Sequence, residues 1–262
     1  SFNEIPNKDK NSKIFEIKIN VSYESGEVEI KRSFSYEDKS FNTILVDGEK
    51  ISNIQLLDFL NILWITPVME KVMLQSNSDK RNFFDRLIFN ISKEHLKNLS
   101  KLQKHLSERL ALIRNRKYDS DWLDIIEANI AKLSAKIISS RESFIMKLNN
   151  KLKVMKILNK ICVIDFEHEI FSPSEAFESH NFIEKYKSIL ANNRKIDADL
   201  NRTTNTINKV KIEIYNNLDK HMEVKNCSTG EQKSILLTIF LCVANMVKSK
   251  NSDRSPIILI DE

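Results

Sequence analysis

Residues 227–233 read Cys-Ser-Thr-Gly-Glu-Gln-Lys, and a strongly apolar segment follows them to about Lys248. Ser228 and Glu231 have the spacing of a capping box, which predicts a helix that begins directly after Ser228. The start of such a helix presents free N–H groups and the positive end of the helix dipole, which suits a phosphate group. Gly230 would let a ligand approach the backbone closely. The alternative is an ordinary capped helix that binds nothing, because capping boxes are common.

A second motif closes the sequence. Residues 256–260 read Pro-Ile-Ile-Leu-Ile, and Asp261 and Glu262 follow them. The run predicts a buried parallel strand that delivers two carboxylates to the crevice where α/β sheets bind ligands. In a Walker B arrangement the first acid supports Mg²⁺ and its waters, and the second activates the attacking water. The alternative is a strand that leads into a polar loop.

The order of the two motifs is more specific than either motif alone. One helix and a short polar loop at residues 249–255 fit between them. A [ST]-x-G-x-Q helix start, one helix, and an apolar strand that ends in Asp-Glu follow each other in this order in ABC ATPases.

The rest of the chain predicts a sheet followed by helices. Residues 14–21 and 27–32 alternate apolar and polar, and residues 43–46 precede the hairpin signal Asp47-Gly48, so the first sixty residues predict an antiparallel β-meander. Residues 63–65 predict a short strand. Helical periodicity then marks residues 83–88, 99–113 and 122–152, and the last two segments predict a long αα-hairpin. The simplest interpretation of the hairpin is a helical arm whose residues serve packing and carry no chemistry of their own. Further strands are predicted at 161–166 and 210–214, with a helical stretch from Ser172 to about Leu200.

Composition favours a soluble globular protein. Of the 262 residues, 41% are hydrophobic and 29% are charged. The formal net charge of +5 permits contact with nucleic acid, but 36 acidic residues offset 41 basic ones, so charge alone is weak evidence. Cys162, Cys227 and Cys242 are odd in number and lack metal-ligand spacing, so we expect neither a disulfide framework nor a zinc site. We expect a cytoplasmic protein that does not cross a membrane. Both ends of the chain read as cut.

These motifs resemble a known family. Residues 227–234 are similar to the signature segment of the RecF family, whose typical form is CSTGEQK. Other segments resemble the family in the same order: residues 63–67 before the helical lobe, residues 80–87 at its R-R-x-F-L-D segment, Arg114-Asn115 and Trp122-Leu123 in the helical arm, and Arg194, Asp197, Arg202 and Thr203 in its return segment. The resemblance covers most of the chain from about Leu63 onward, and more loosely the β-meander.

The resemblance implies a fold and its parts. The fold is α/β, an ABC-ATPase-like head similar to those of structural-maintenance-of-chromosomes proteins, with an antiparallel β-meander and an inserted helical lobe that contains the αα-hairpin. Residues 1–85 would form the β-rich part of lobe I, and residues 86–200 the helical lobe II. Residues 201–262 would return to lobe I with the signature helix and the Walker B strand.

The resemblance also implies a function. The family uses ATP and Mg²⁺ and is a slow ATPase, and two heads dimerise on ATP so that the signature of one protomer meets the nucleotide of the other. Asp261 would serve Mg²⁺ and Glu262 would activate water. Expected partners are single-stranded, duplex or junction DNA, together with RecR and RecO, in recombinase loading during gap repair and the SOS response. The γ-phosphate contacts across the dimer would come from Ser228, Thr229, Gly230 and Gln232.

The sequence departs from the family in several places, including the absence near Val68 of the glutamine that many ABC heads have at the lobe boundary. No Walker A loop of the form G-x-x-G-x-G-K-[ST] occurs, and Gly26, Gly48 and Gly230 are too scattered to build one. A chain without this loop is expected to bind ATP poorly, which leaves enzyme activity open. Residues 205–208 read Asn-Thr-Ile-Asn where the family usually has G-P-H-R.

Three alternatives stay open: a degraded RecF product without activity, another ABC-type head, and a structural helical adaptor. The sequence does not single out the residues that contact DNA. The candidates, each with solvated charge as the alternative, are Lys80, Arg81, Arg114 and Arg116.

Overall fold

The computed structural model describes residues 14–24, 26–35, 42–66, 69, 71–114, 119–155, 161–169, 171, 180–217, 220–250 and 255–261. The chain forms two compact units. The first comprises residues 1–62 with 247–258, and the second comprises residues 63–246 with 259–262. The finer division at residues 85 and 200 stays a prediction. None of the helices in the described ranges has a stretch long and apolar enough to cross a bilayer.

A four-stranded antiparallel sheet forms most of the first unit. Strands β1 (Ile14–Tyr23), β2 (Gly26–Ser35), β3 (Asn42–Val46) and β4 (Glu49–Ile51) lie in sequential order. This confirms the β-meander, although β1 and β2 are longer than their alternating segments. Asp47 and Gly48 have φ angles of 49° and 84°. Positive φ at both central residues is typical of the tight hairpin turn that the Asp-Gly pair predicts.

A helical hairpin dominates the second unit. Helix α1 (Asn53–Leu56) follows β4 and belongs to the first unit. Helix α2 (Asn77–Ile91) precedes the hairpin in the second unit. Helices α3 (Lys93–Arg114) and α4 (Ser120–Met155) form the αα-hairpin that the periodicity predicts. Helix α5 (His180–Asn192) packs on α4 and is followed by α6 (Arg194–Asp199). The predicted start of this last helical stretch, at residues 172–175, lies outside the described residues.

Two small sheets and one long helix complete the chain. Strand β6 (Val163–His168) pairs antiparallel with β7 (Val210–Tyr215), and helix α7 spans Thr229–Lys250. Strands β5 (Ile62–Ile65) and β8 (Ile257–Ile260) form a two-stranded sheet. The Ile257 amide donates to Asn61 O at 2.9 Å, and the Asp261 amide donates to Ile65 O at 3.0 Å, so the two strands run parallel as predicted.

Strand β8 corrects one expectation. The sequence predicts a buried strand, but its side chains are between 37% and 58% exposed. The prediction came from the apolar composition of the strand, and composition does not say which element covers it. Within the described chain, β5 is the only strand paired with β8.

Two fully buried arginines connect the helices of the second unit. On α3, Arg109 donates to Glu127 Oε1 at 2.9 Å, to Asp197 Oδ2 at 2.7 Å and to the Leu190 carbonyl at 2.7 Å. Glu127 also accepts from Arg194. All three members of the Arg109–Glu127–Asp197 group have 0% exposure. A charge buried this deeply is tolerated only when its partners satisfy it.

The second buried arginine, Arg141 on α4, makes a bidentate pair with Asp85 on α2. Its Nε and Nη2 donate to the two carboxylate oxygens at 2.9 and 2.8 Å. Its Nη1 donates to the Ile207 carbonyl at 3.0 Å. His95 Nε2 lies 3.0 Å from Asp85 Oδ1. The pair therefore fixes α2 and α4 to the segment that precedes β7.

The segment in which the sequence departs from the RecF pattern is anchored through its backbone. The Asn205 carbonyl accepts from the Tyr186 hydroxyl at 3.0 Å, and the Asn208 carbonyl accepts from Arg81 at 2.9 Å. Together with the Ile207 carbonyl, these acceptors belong to the main chain. Because main-chain carbonyls are the acceptors, this anchoring does not require the side chains of the G-P-H-R segment.

We predict that Arg141→Met destabilises the fold by about 3–5 kcal/mol, because it leaves the Asp85 carboxylate buried without its bidentate partner. Urea unfolding would measure the change. The double variant Arg141→Met/Asp85→Asn, which removes both charges, should recover part of the loss. Equal stability of Arg141→Met and the wild-type chain would contradict this account.

We also predict that stability falls in two steps as the pH is lowered. Burial, with the Arg141 charge, lowers the pKa of His168 to about 4. Burial alone would raise the pKa of Asp85, but the hydrogen bonds from His95 and Arg141 outweigh it and bring that pKa to about 2. Both pKa values lie below those of the unfolded chain, so each group stabilises the fold at higher pH and loses this effect as the pH falls.

The His168 step should lie between about pH 6.5 and 4 and amount to roughly 2–3 kcal/mol. The Asp85 step should follow between about pH 4 and 2. Urea unfolding across this range would show both. His168→Gln should remove only the upper step, and survival of that step in this variant would contradict its assignment to His168.

Candidate functional site

Residues 227–232 comprise the end of the loop before α7 and the first turn of that helix, and together they are called the signature loop here. The Ser228 amide donates to Glu231 Oε2 at 3.1 Å, and its hydroxyl donates to the same oxygen at 2.9 Å. The Glu231 amide donates back to Ser228 Oγ at 3.4 Å. This reciprocal pattern is the predicted capping box, and α7 begins at Thr229 as predicted.

Ser228, Thr229 and Gly230 lie together on the exposed first turn of α7. A methyl group added at Gly230 would meet no atom within 4 Å, and this glycine is not among those with positive φ. Neither packing nor backbone conformation therefore requires glycine, which costs up to about 1 kcal/mol relative to alanine inside a helix. Close approach of a ligand is a physical reason that would still require it.

Gln232 faces the opposite way. Its side chain is buried, and its amide nitrogen donates to the Cys227 carbonyl at 2.9 Å. A longer bond of 3.4 Å reaches the Lys225 carbonyl. In this arrangement the Gln232 side chain stabilises the signature loop through hydrogen bonds to nearby main-chain carbonyls. Its predicted contact with a γ-phosphate stays a prediction and would require the amide to turn away from Cys227.

Asp261 occupies the end of β8. Because β5 and β8 are parallel, their carboxyl ends lie at the same edge of the small sheet. The residue is exposed, so its carboxylate is accessible to a cation. Glu262, the predicted catalytic residue, lies outside the described residues.

The acids that the structure describes fit Mg²⁺ only as a partial ligand set. In the described ranges no group of three His, Cys, Asp or Glu side chains could hold a metal ion. Mg²⁺ is commonly bound through one or two carboxylates, with waters and substrate phosphates completing the octahedron. One carboxylate from Asp261 is compatible with that mode.

The predicted basic candidates fall into different environments. Lys80 is only 8% exposed, and its ammonium donates to the Ile212 carbonyl at 3.3 Å. Arg81 is partly buried and bonds Asn208 O. The solvated-charge interpretation is therefore wrong for Lys80 and incomplete for Arg81, because this part of α2 packs against β7. Arg114 is exposed, and Arg116 lies outside the described residues.

Comparisons with known proteins agree with the resemblance seen in the sequence. No family model matches the chain. It is 31% identical over 239 residues to the DNA replication and repair protein RecF of Rickettsia typhi, covering 89% of this chain and 62% of that protein. RecF of Rickettsia prowazekii is also 31% identical, over 248 residues, with the same coverage. The chain thus spans about three fifths of the length of these relatives.

The fold is similar to that of solved structures. A structure described as the recombination mediator protein RecF with ATP in the RecFOR pathway superposes with a TM-score of 0.81 at 20% identity. The superposition covers 96% of this chain and 68% of the chain in the solved structure. This likeness confirms the α/β, ABC-ATPase-like fold with its antiparallel sheet and helical part.

We predict that Ser228→Ala destabilises the fold by about 1 kcal/mol, because it removes the N-cap of α7. Ser188→Ala is the matched control, since Ser188 lies inside α5 and bonds only its own helix at the Glu184 carbonyl. That variant should change stability by less than about 0.5 kcal/mol. Urea unfolding of both would decide, and equal effects would argue against a capping role for Ser228.

Proposed function

Because the chain belongs to the RecF family of DNA replication and repair proteins, we propose that it acts in recombinational repair as an ATP-dependent DNA-binding head. In this role it binds single-stranded and junction duplex DNA with ATP. It supports recombinase loading during gap repair and the SOS response, together with RecR and RecO, in the cytoplasm.

The observation that carries this proposal is the exposed first turn of α7. Ser228, Thr229 and Gly230 stand at the positive end of a 22-residue helix, and Gly230 leaves its backbone open to a ligand. This arrangement suits the γ-phosphate of a nucleotide held by a second protomer. This geometry supports the proposal that two copies associate in the presence of ATP, because the turn lies at the surface, where a second protomer could bring a phosphate to it.

The acids after β8 complete the proposed chemistry. Asp261 supplies one oxygen ligand for Mg²⁺, which offsets charge on the nucleotide phosphates when it is bound. Glu262 orients the attacking water and accepts its proton. Gln232 keeps the signature loop in shape from beneath, and we propose that it reaches the γ-phosphate when the protomers close.

DNA is bound in this proposal through its phosphates, so affinity should fall steeply as salt is raised. Arg114 is the candidate that supports this step best, because it is exposed at the end of α3. Lys80 could reach a phosphate only inside the cleft that it lines.

We predict that Gly230→Ala weakens ATP-dependent association by about tenfold or more, because the added methyl group obstructs the approach of the phosphate. The natural gene product that contains this sequence would be examined by light scattering with ATP and Mg²⁺. The melting temperature of the Gly230→Ala variant should be unchanged or higher, since the added methyl group meets no atom within 4 Å and alanine favours the helix.

Asp261→Asn should also reduce nucleotide-dependent association, while leaving the fold intact because its side chain is exposed. A Ser188→Ala variant serves as a surface control. If Gly230→Ala and Asp261→Asn both associate and bind DNA like the parent protein, the nucleotide mechanism fails and a structural adaptor becomes the better interpretation.

A further inference from the structure

A polar cleft of about 570 Å³ lies within the second unit. Its walls are the 3-10 turn Lys71–Leu74, the start of α2, strand β7 and the 3-10 turn Val224–Asn226. Asn226, which directly precedes the signature loop, is one of its lining residues. The volume falls within the range typical of small-molecule sites, roughly 300–1,000 Å³.

Lys80 is the most deeply buried cation of this cleft. Its residue surface is 8% exposed, and its one described hydrogen bond is the 3.3 Å contact to the Ile212 carbonyl. An ammonium group has three donors. In the part of the chain that the structure describes, no carboxylate lies within ion-pair distance of Lys80. A buried charge with a single long bond is unfavourable, so an anion that reached this ammonium would be bound favourably.

The other two lysines of the cleft have partners at its rim. Lys211 pairs with Glu213 at 3.0 Å, and Lys225 pairs with Glu223. Both lysine side chains are about half exposed. The rim carboxylates therefore form ion pairs with the rim lysines, and neither forms one with Lys80. Burial lowers the pKa of Lys80, and the Glu223 charge opposes this only in part.

The start of α2 forms one wall of the cleft. The lining residues Ser76 and Asn77 stand at the N-terminal end of this 15-residue helix, and Ser76 caps it by accepting from the Asp79 amide at 3.3 Å. Asn77 Oδ1 accepts from the Ile212 amide at 3.1 Å, which holds α2 against β7. The wall behind Lys80 is thus fixed in place before any ligand arrives.

We propose that this cleft binds the phosphate group of a nucleotide or of a nucleic-acid strand, with Lys80 as the buried cation and Lys211 and Lys225 as secondary contacts. A phosphate offers several acceptor oxygens, so it can bond Lys80 and a rim lysine together. The rim glutamates can accept from the N–H donors of an attached base. The site rests on the geometry of the cleft and does not depend on the signature loop.

The test compares Lys80→Met with Lys71→Met in the intact chain. Methionine keeps the apolar stem of Lys80 and removes its charge. Lys71 is exposed in the adjacent turn and does not line the cleft, so Lys71→Met is the matched control. Two probes are titrated at low salt: adenosine 5′-monophosphate by calorimetry, and a labelled single-stranded oligonucleotide by fluorescence anisotropy.

We expect Lys80→Met to weaken binding of at least one probe by about tenfold, and Lys71→Met to change it by less than about twofold. Loss for the oligonucleotide alone assigns the cleft to a nucleic-acid strand. Loss for the mononucleotide alone, or for both probes, assigns it to a phosphate group that can also arrive free. Unchanged binding of both probes by Lys80→Met overturns the proposal, as does equal loss in Lys71→Met.

Stability supplies an independent readout. If Lys80 exists for a ligand, Lys80→Met should melt at the same or a higher temperature, because a buried charge is removed. A large drop in melting temperature would assign Lys80 to bracing Ile212 instead. In that case the exposed rim variant Lys225→Met tests the site instead. It should weaken binding of the same probe by about threefold. Both probes are titrated without ATP and neither carries a γ-phosphate, so a loss of binding in Lys80→Met reports on this cleft and not on ATP-dependent association through the signature loop.

Discussion

The helical part of the chain depends on two guanidinium groups that have no access to water. Arg109 and Arg141 are both 0% exposed, and each uses its donors on a carboxylate and a main-chain carbonyl from other elements. A buried charge whose partner moves away becomes severely unfavourable, so each arginine tolerates only one arrangement of its neighbours. Their effect is therefore on the specificity of the fold more than on its net stability.

The same constraint reaches the signature loop. Arg141 and Asp85 fix α4 to α2, and the Ile207 carbonyl ties the segment before β7 to that pair. The end of β7 pairs at Tyr215 with Glu223, which directly precedes the turn Val224–Asn226 and the signature loop. The loop is therefore joined to this anchored strand by a backbone pairing close to it. Because these anchors are carbonyls, residues 205–208 can depart from the family wording and still receive Arg141, Arg81 and Tyr186.

Periodicity and turn chemistry predicted most elements of the fold. The meander, the Asp47-Gly48 turn, the αα-hairpin and the capped start of α7 are local features, and each follows from residues close in sequence. The environment of β8 did not follow, because apolar composition does not identify the covering element. Within the site, the exposed first turn of α7 was predictable, whereas the inward orientation of Gln232 was not.

The buried charges were the main features missed in the sequence, although a signal for them exists. Positions 102, 106, 109 and 113 repeat every three or four residues, so Arg109 lies on the apolar stripe of α3. A charge on such a stripe predicts a buried pair, but its partner Asp197 is 88 residues away. One sequence offers no way to connect them. Lys80 is similar, because its burial depends on packing against β7 more than one hundred residues later.

The donors of Ser228 in the signature loop are already bonded to a carboxylate of the protein. Glu231 places a carboxylate on the Ser228 amide and hydroxyl, so an anion of the protein already bonds donors at the start of α7. An incoming phosphate that used Ser228 would have to displace this carboxylate, and like charge would drive the two apart. Thr229 and Gly230 stay exposed on this turn, and Gly230 leaves its backbone open to approach. In the proposed mechanism, phosphate binding through Ser228 would therefore exchange one anion for another, and its strength would depend on how much better a phosphate satisfies these donors than Glu231 does.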